Sequence, residues 1–127
     1  MTDTILIIED NEQNLYLMRF LLESAGFTVV EARNGPDGIR HAMELRPAAI
    51  LLDVQLPLMD GYAVARELRS HATLATTPVI AVTSYAMPGD RERVLASGAT
   101  AYLEKPIDPD AFVDQVRAHL ETSTEGG

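Results

Sequence analysis

Short runs of consecutive apolar residues alternate along this chain with longer stretches in which apolar residues recur every three or four positions. The runs are Ile5-Leu6-Ile7-Ile8, Ala49-Ile50-Leu51-Leu52, Val79-Ile80-Ala81-Val82 and Ala101-Tyr102-Leu103, and Thr28 to Ala32 adds a β-branched fifth. Unbroken runs of this length suit strands covered on both faces. Residues 13–25 place Leu15, Met18, Leu22 and Ala25 on one helical face, with Gly26 as a left-handed stop. Gly35-Pro36 opens a second helix through Ile39, Ala42 and Met43, with proline in its first turn, and Pro47 closes it. A third helix follows Asp60-Gly61 and packs Val64 and Leu68; Asp60-Gly61 and Asn34-Gly35 read as turn signals. Residues 71–77 read as a loop ending at Pro78, and Arg91 to Ser97 as a short, weakly apolar helix stopped by Gly98. The last helix takes Asp108 as N-cap and Pro109 at its first position, with Phe112, Val113, Val116 and Leu120 on one face. Glu121 to Gly127 reads as a frayed polar tail, leaving one domain over residues 1–120.

Five strand–helix pairs predict a doubly wound α/β fold, a five-stranded parallel sheet between two layers of helices. Strand order does not follow from periodicity. The order 2-1-3-4-5 is adopted here by analogy with flavodoxin-like folds, and it sets strands 1, 3 and 4 side by side at the point where the winding reverses.

That placement gives meaning to how the runs end. The first runs into Glu9-Asp10, the third into Asp53, the fourth into Thr83, and the fifth through Glu104 into Lys105, the sole lysine. All strand ends of a parallel sheet share one edge, where ligands bind. Three carboxylates, a hydroxyl and an ammonium would therefore meet. Singly, each has an ordinary reading: Asp53 as a turn or cap residue, Asp10 or Asn11 as a helix cap, Thr83 as a strand residue, Lys105 as a surface cation. Together the acids repel and call for a cation, and magnesium suits carboxylate, carbonyl and water ligands beside a phosphate.

Charge narrows the partners. The formal charge of −9 argues against nucleic acid, whose binding rests on Lys and Arg neutralising phosphates. The absence of cysteine fits a reducing, cytoplasmic setting. No apolar run approaches the roughly 18 residues of a membrane span, and no basic leader precedes the first strand. The histidines at 41, 71 and 119 show no acid or metal spacing and are read as surface residues.

The segments ILIIEDNEQN, ILLDVQLPLMDG, PVIAVTSYA and GATAYLEKPID, in that order, resemble the response-regulator receiver domains of two-component signalling, in their stand-alone form. The resemblance implies a phosphoacceptor signalling domain, not an enzyme in its own right. Asp53 would take a phosphoryl group from a histidine kinase or histidine phosphotransferase. Asp10, Asp53 and the backbone carbonyl of Gln55 would hold Mg²⁺, with Glu9 acting through water. Thr83 and Lys105 would bind the phosphoryl oxygens, Tyr102 would be the switch aromatic, and Gln55 and Tyr85 would tune phosphoryl lifetime. A downstream protein would read the result, from a monomer or from a dimer formed on phosphorylation.

Two other readings compete with a free receiver: an aspartyl-phosphate phosphatase, and a receiver cut from a hybrid histidine kinase. The phosphatase needs a general acid two residues after the nucleophile, where Gln55 stands. A flavin-binding electron carrier is disfavoured because Glu9-Asp10 would repel phosphate. Projected at 100° per residue, Tyr16 and Phe20 fall opposite the core face of the first helix, one turn apart. Exposed aromatics favour interface centres, so they are the expected docking contact for the histidine partner.

Overall fold

Alternation along the strands decides the architecture. In β1 (Thr4–Ile8), Ile5 and Ile7 point to one side while Leu6 and Ile8 point to the other, and each set enters a separate apolar core. The protein is described from a computed structural model, over residues 3–84 and 89–126. After β1 come α1 (Glu12–Ser24), β2 (Thr28–Ala32), α2 (Gly35–Leu45), β3 (Ala49–Asp53) and α3 (Gly61–Ser70). Then follow β4 (Val79–Thr83), α4 (Asp90–Ala96), β5 (Ala101–Glu104) and α5 (Phe112–Gly126). The five strands are parallel in the order β2-β1-β3-β4-β5, as expected.

One core joins Leu6, Ile8, Ile50, Leu52 and Ala81 of the sheet to Val64 and Leu68 of α3, Ala42 of α2 and Val94 of α4. The other joins Ile5, Ile7, Leu51, Ile80 and Val82 to Leu15, Met18 and Leu22 of α1 and Phe112 and Val116 of α5. Every residue of β3 and β4 is buried, so these strands have no polar face. Burying such aliphatic side chains stabilises by about 1.5–3 kcal/mol each, before the entropy of ordering them. Polar chemistry is confined to the strand exits.

Local signals explain the helix starts. Asn11, Asn34 and Asp60 each accept a hydrogen bond from the backbone N–H three residues on, at 3.0, 2.9 and 2.9 Å. Asn34 and Asp60 are thus helix caps as well as turn residues, a use the two turn signals conceal. Gly26, at φ +99°, ends α1 as expected.

Four further details differ from the expectation. The stretch 71–77 contains a 3₁₀ turn at Ala72–Leu74, because Leu74 is buried in the first core and folds the chain inward. Residues 109–111 form a turn around Asp108, whose carbonyl accepts from Ala111 and Phe112, so α5 starts at Phe112. Its backbone continues past Leu120 to Gly126, since no breaker precedes the terminal glycines. His71 does have an acid at helical spacing: its Nε2 lies 3.0 Å from Glu67 Oε2.

At the end of the sheet where the strands begin, Arg69 gathers the loops. Its guanidinium donates to the carbonyls of Gly98 (2.7 Å), Leu74 (2.8 Å) and Thr77 (2.7 Å) and to Thr100 Oγ1 (2.8 Å). Thr100 Oγ1 also accepts from the N–H of Val79, which opens β4.

Candidate functional site

The exits of β1 and β3 deliver the acids. Glu9 follows β1 with no exposed surface, Asp53 ends β3 with 4% exposed, and Asp10 stands in solvent. One carboxylate oxygen from each of Glu9, Asp10 and Asp53 lies within 4.8 Å of the others. Lys105, after β5, places its Nζ 2.9 Å from Glu9 Oε1 and 3.4 Å from Asp53 Oδ2. Its backbone N–H donates to the carbonyl of Thr83 (2.8 Å), which fixes the exit of β5 against the end of β4. Thr83 itself is buried there. The Lys105–Pro106 peptide is cis.

Geometry leaves the acids under-compensated. Glu9 Oε2 accepts from the N–H of Asn11 (3.1 Å), but Oε1, though ion-paired with Lys105, has no hydrogen bond among the described residues. Asp53 Oδ1 accepts from the N–H of Gln55 (3.0 Å). Burial, then the adjacent Glu9 carboxyl, pushes Asp53 from 3.8 to about 7, against the opposing pull of the Gln55 N–H and Lys105. One ammonium does not balance three carboxylates. An all-carboxylate donor set, one member of it wholly buried, with a single ammonium among three acids fits a hard divalent cation such as magnesium.

The loop after Asp53 is held tightly. Gly61 donates its N–H to the carbonyl of Val54 (3.0 Å), and a Cβ at this position would lie 2.3 Å from Val54 Cα and 2.8 Å from the Asp53 carbonyl oxygen. Only glycine permits that approach, a role hidden in the sequence by its look of a turn residue. Ser84 Oγ donates to Gln55 Oε1 (3.0 Å) across the exits of β3 and β4, a link that nothing in the sequence signals. Beside the acids opens a cleft of about 580 Å³ whose walls include Asp10, Gln55, Asp60, Tyr62 and Arg93.

Glu9, Asp10, Asp53, Gln55 and Lys105 are therefore gathered, with Thr83 at the neighbouring strand end. Tyr102, half-buried on β5, packs against the core beneath α2, α3 and α4. Tyr85 lies outside the described residues. Tyr16 and Phe20 sit apart on the outer face of α1, 71% and 55% exposed, with stacked rings 6.3 Å between centroids. They border a groove of about 290 Å³, across which Arg19 pairs with Glu31 (2.7 Å) and Arg33 with Glu12.

The family model described as the response regulator receiver domain matches residues 5–117. The chain belongs to that family. This receiver is 41% identical over 120 residues to the polar-differentiation response regulator DivK of Brucella anthropi, an alignment covering 94% of the chain and 98% of the relative. Its fold superposes with a TM-score of 0.88 on the receiver domain of sensor histidine kinase PA1611 from Pseudomonas aeruginosa, at 34% identity, covering 95% and 99% of the two chains. That structure carries a magnesium ion coordinated in its active site cleft. A response regulator from Chloroflexus aurantiacus matches with a TM-score of 0.91 at 28% identity, again over 95% and 99%. As a member of this family the receiver is a two-component signalling domain, and the expected fold and family both hold.

Proposed function

We propose that this receiver accepts a phosphoryl group on Asp53 from a histidine kinase or histidine phosphotransferase, and that the added charge changes the surface it offers to a downstream protein. The observation that carries the reading is Asp53, buried at a strand exit between a carboxylate cluster and the only lysine of the chain. A carboxylate oxygen of Asp53 attacks phosphorus as the P–N bond of phosphohistidine breaks. The bonding pair returns to the imidazole, which leaves neutral when its other nitrogen carries a proton, and an acyl phosphate remains. Asp10, Asp53 and the Gln55 carbonyl would hold magnesium, with Glu9 acting through water, and the ion would supply positive charge against the phosphoryl group. The magnesium described for the PA1611 receiver supports that assignment.

The chain's own residues do the rest. Lys105 and Thr83 meet the phosphoryl oxygens, which bring roughly −1.5 to −2 units of charge. Lys105 must therefore exchange part of its hold on Glu9 for the new group, and Tyr102 follows inward behind Thr83. The responding element is the α4 region, where Val94 is the single buried side chain of a seven-residue helix. Gln55, through its bond with Ser84, tunes phosphoryl lifetime together with Tyr85. Tyr16 and Phe20 dock the histidine partner. The DivK relative, at 41% identity, supports a response-regulator role, and the lack of cysteine supports a cytoplasmic setting.

Labelling with acetyl phosphate or a phosphorylated kinase, with and without EDTA, tests the reading. Wild type should label only when magnesium is present, and Asp53→Asn should not label at all. Equal labelling of the two proteins, or labelling that survives EDTA, refutes it.

A further inference from the structure

Arg93, on α4, lays its guanidinium over the ring of Tyr62 at the start of α3, 4.2 Å from the centroid. Among the described residues Arg93 forms no ion pair, although Asp10 and Asp60 line the same cleft. The two sides of this contact are anchored very differently. Tyr62 follows Gly61, whose backbone is pressed against Asp53 and Val54, and its ring packs on the core. It is fixed to the phosphoacceptor strand itself. Helix α4 has one buried side chain, Val94, and its N-cap Gly89 supplies no side-chain hydrogen bond. The cation–π contact is therefore a lateral tether from a rigid element to a loosely held one.

We infer that Arg93 and Tyr62 form a clasp that holds α4 in its unphosphorylated arrangement and so opposes phosphoryl binding at Asp53. The inference rests on the reading above that α4 responds to the phosphoryl group. Linkage fixes the sign. A contact made only in the resting arrangement lowers apparent affinity for whatever favours the other arrangement, by the factor that the contact contributes. For a partly exposed cation–π pair that factor is about two- to fivefold. Tyr62 and Arg93 act here through α4, as positioning residues.

The test is a titration with beryllofluoride, a phosphoryl mimic, at fixed magnesium, followed by backbone amide NMR and amide exchange over residues 90–96. Arg93→Ala should lower the half-saturating beryllofluoride concentration about two- to fivefold and speed exchange in α4 before the mimic is added. Tyr62→Leu should reproduce both effects, and the double variant should go no further than either single one. Tyr62→Phe, which keeps the ring, and Arg93→Lys, which keeps the cation, should stay near wild type. Faster exchange with unchanged half-saturation would make the clasp merely structural and overturn the inference, as would additive single effects. Wild-type α4 that ignores beryllofluoride would instead refute the switch reading, and the clasp's role with it.

Discussion

Replacing Arg69 should be among the most damaging single changes outside the core, although the residue is far from any chemistry. Its guanidinium donates to three carbonyls and one hydroxyl at 2.7–2.8 Å, joining the end of α3, the 3₁₀ turn at 72–74, and the loops leading into β4 and β5. Hydrogen bonds involving a charged group contribute about 1.5–3 kcal/mol each. The four are not additive, because water can reach some of the released carbonyls, and the partly buried side chain also loses packing. A loss of about 3 kcal/mol for Arg69→Ala follows, toward the upper end for single substitutions. Burial lowers the Arg69 pKa, but a guanidinium stays charged at neutral pH, so the loss should change little with pH. Urea unfolding followed by far-ultraviolet circular dichroism reads it directly. With a slope of about 1–3 kcal/mol per molar urea, the midpoint should fall by at least about 1 M. Arg69→Lys should recover less than half, since an ammonium cannot span acceptors arranged around a planar fork. An alanine variant within about 0.5 kcal/mol of wild type, or full rescue by lysine, would refute the account.

Other outcomes follow from the site. Metal-free protein should lose stability as pH rises from 3.8 to about 7, because folded Asp53 retains a proton that the unfolded chain has released. Urea midpoints in EDTA across that window should show the fall, and Asp53→Asn should flatten it. Gly61→Ala should destabilise by at least about 1–3 kcal/mol in urea unfolding and slow acetyl phosphate labelling, because its Cβ has no room against the Val54 and Asp53 backbone. Tyr16→Ala with Phe20→Ala should slow transfer from the cognate histidine partner but leave acetyl phosphate labelling intact; wild-type rates in both reactions would remove α1 as the docking face.

The sequence discloses what depends on local pattern. Doubly buried strands announce themselves as apolar runs, and Asp53, Thr83 and Lys105 are conspicuous because each ends one. Interactions that use backbone acceptors leave no such trace. Arg69 reads as an ordinary helical arginine, since the carbonyls it binds carry no residue identity. Glu9 shows its charge in sequence but not its complete burial, which depends on Lys105 arriving from about a hundred residues away. Gly61 and Asn34 look like turn residues because the same small or polar side chains serve turns, close approaches and helix caps. The tether from Arg93 to Tyr62 needs α3 and α4 to be neighbours, a fact of topology rather than of spacing.

The division of β1 between two cores has a practical use. Ile5 and Ile7 lie against α1 and α5, while Leu6 and Ile8 lie against the layer of α2, α3 and α4. Four consecutive residues thus carry methyl groups into opposite halves of the molecule, and none of them is solvent-exposed. Selective isotope labelling of these methyls would turn one strand into a two-channel reporter. A signal that shifts only for Leu6 and Ile8 would locate a perturbation on the α4 side, and one confined to Ile5 and Ile7 would locate it under the helix that bears Tyr16 and Phe20.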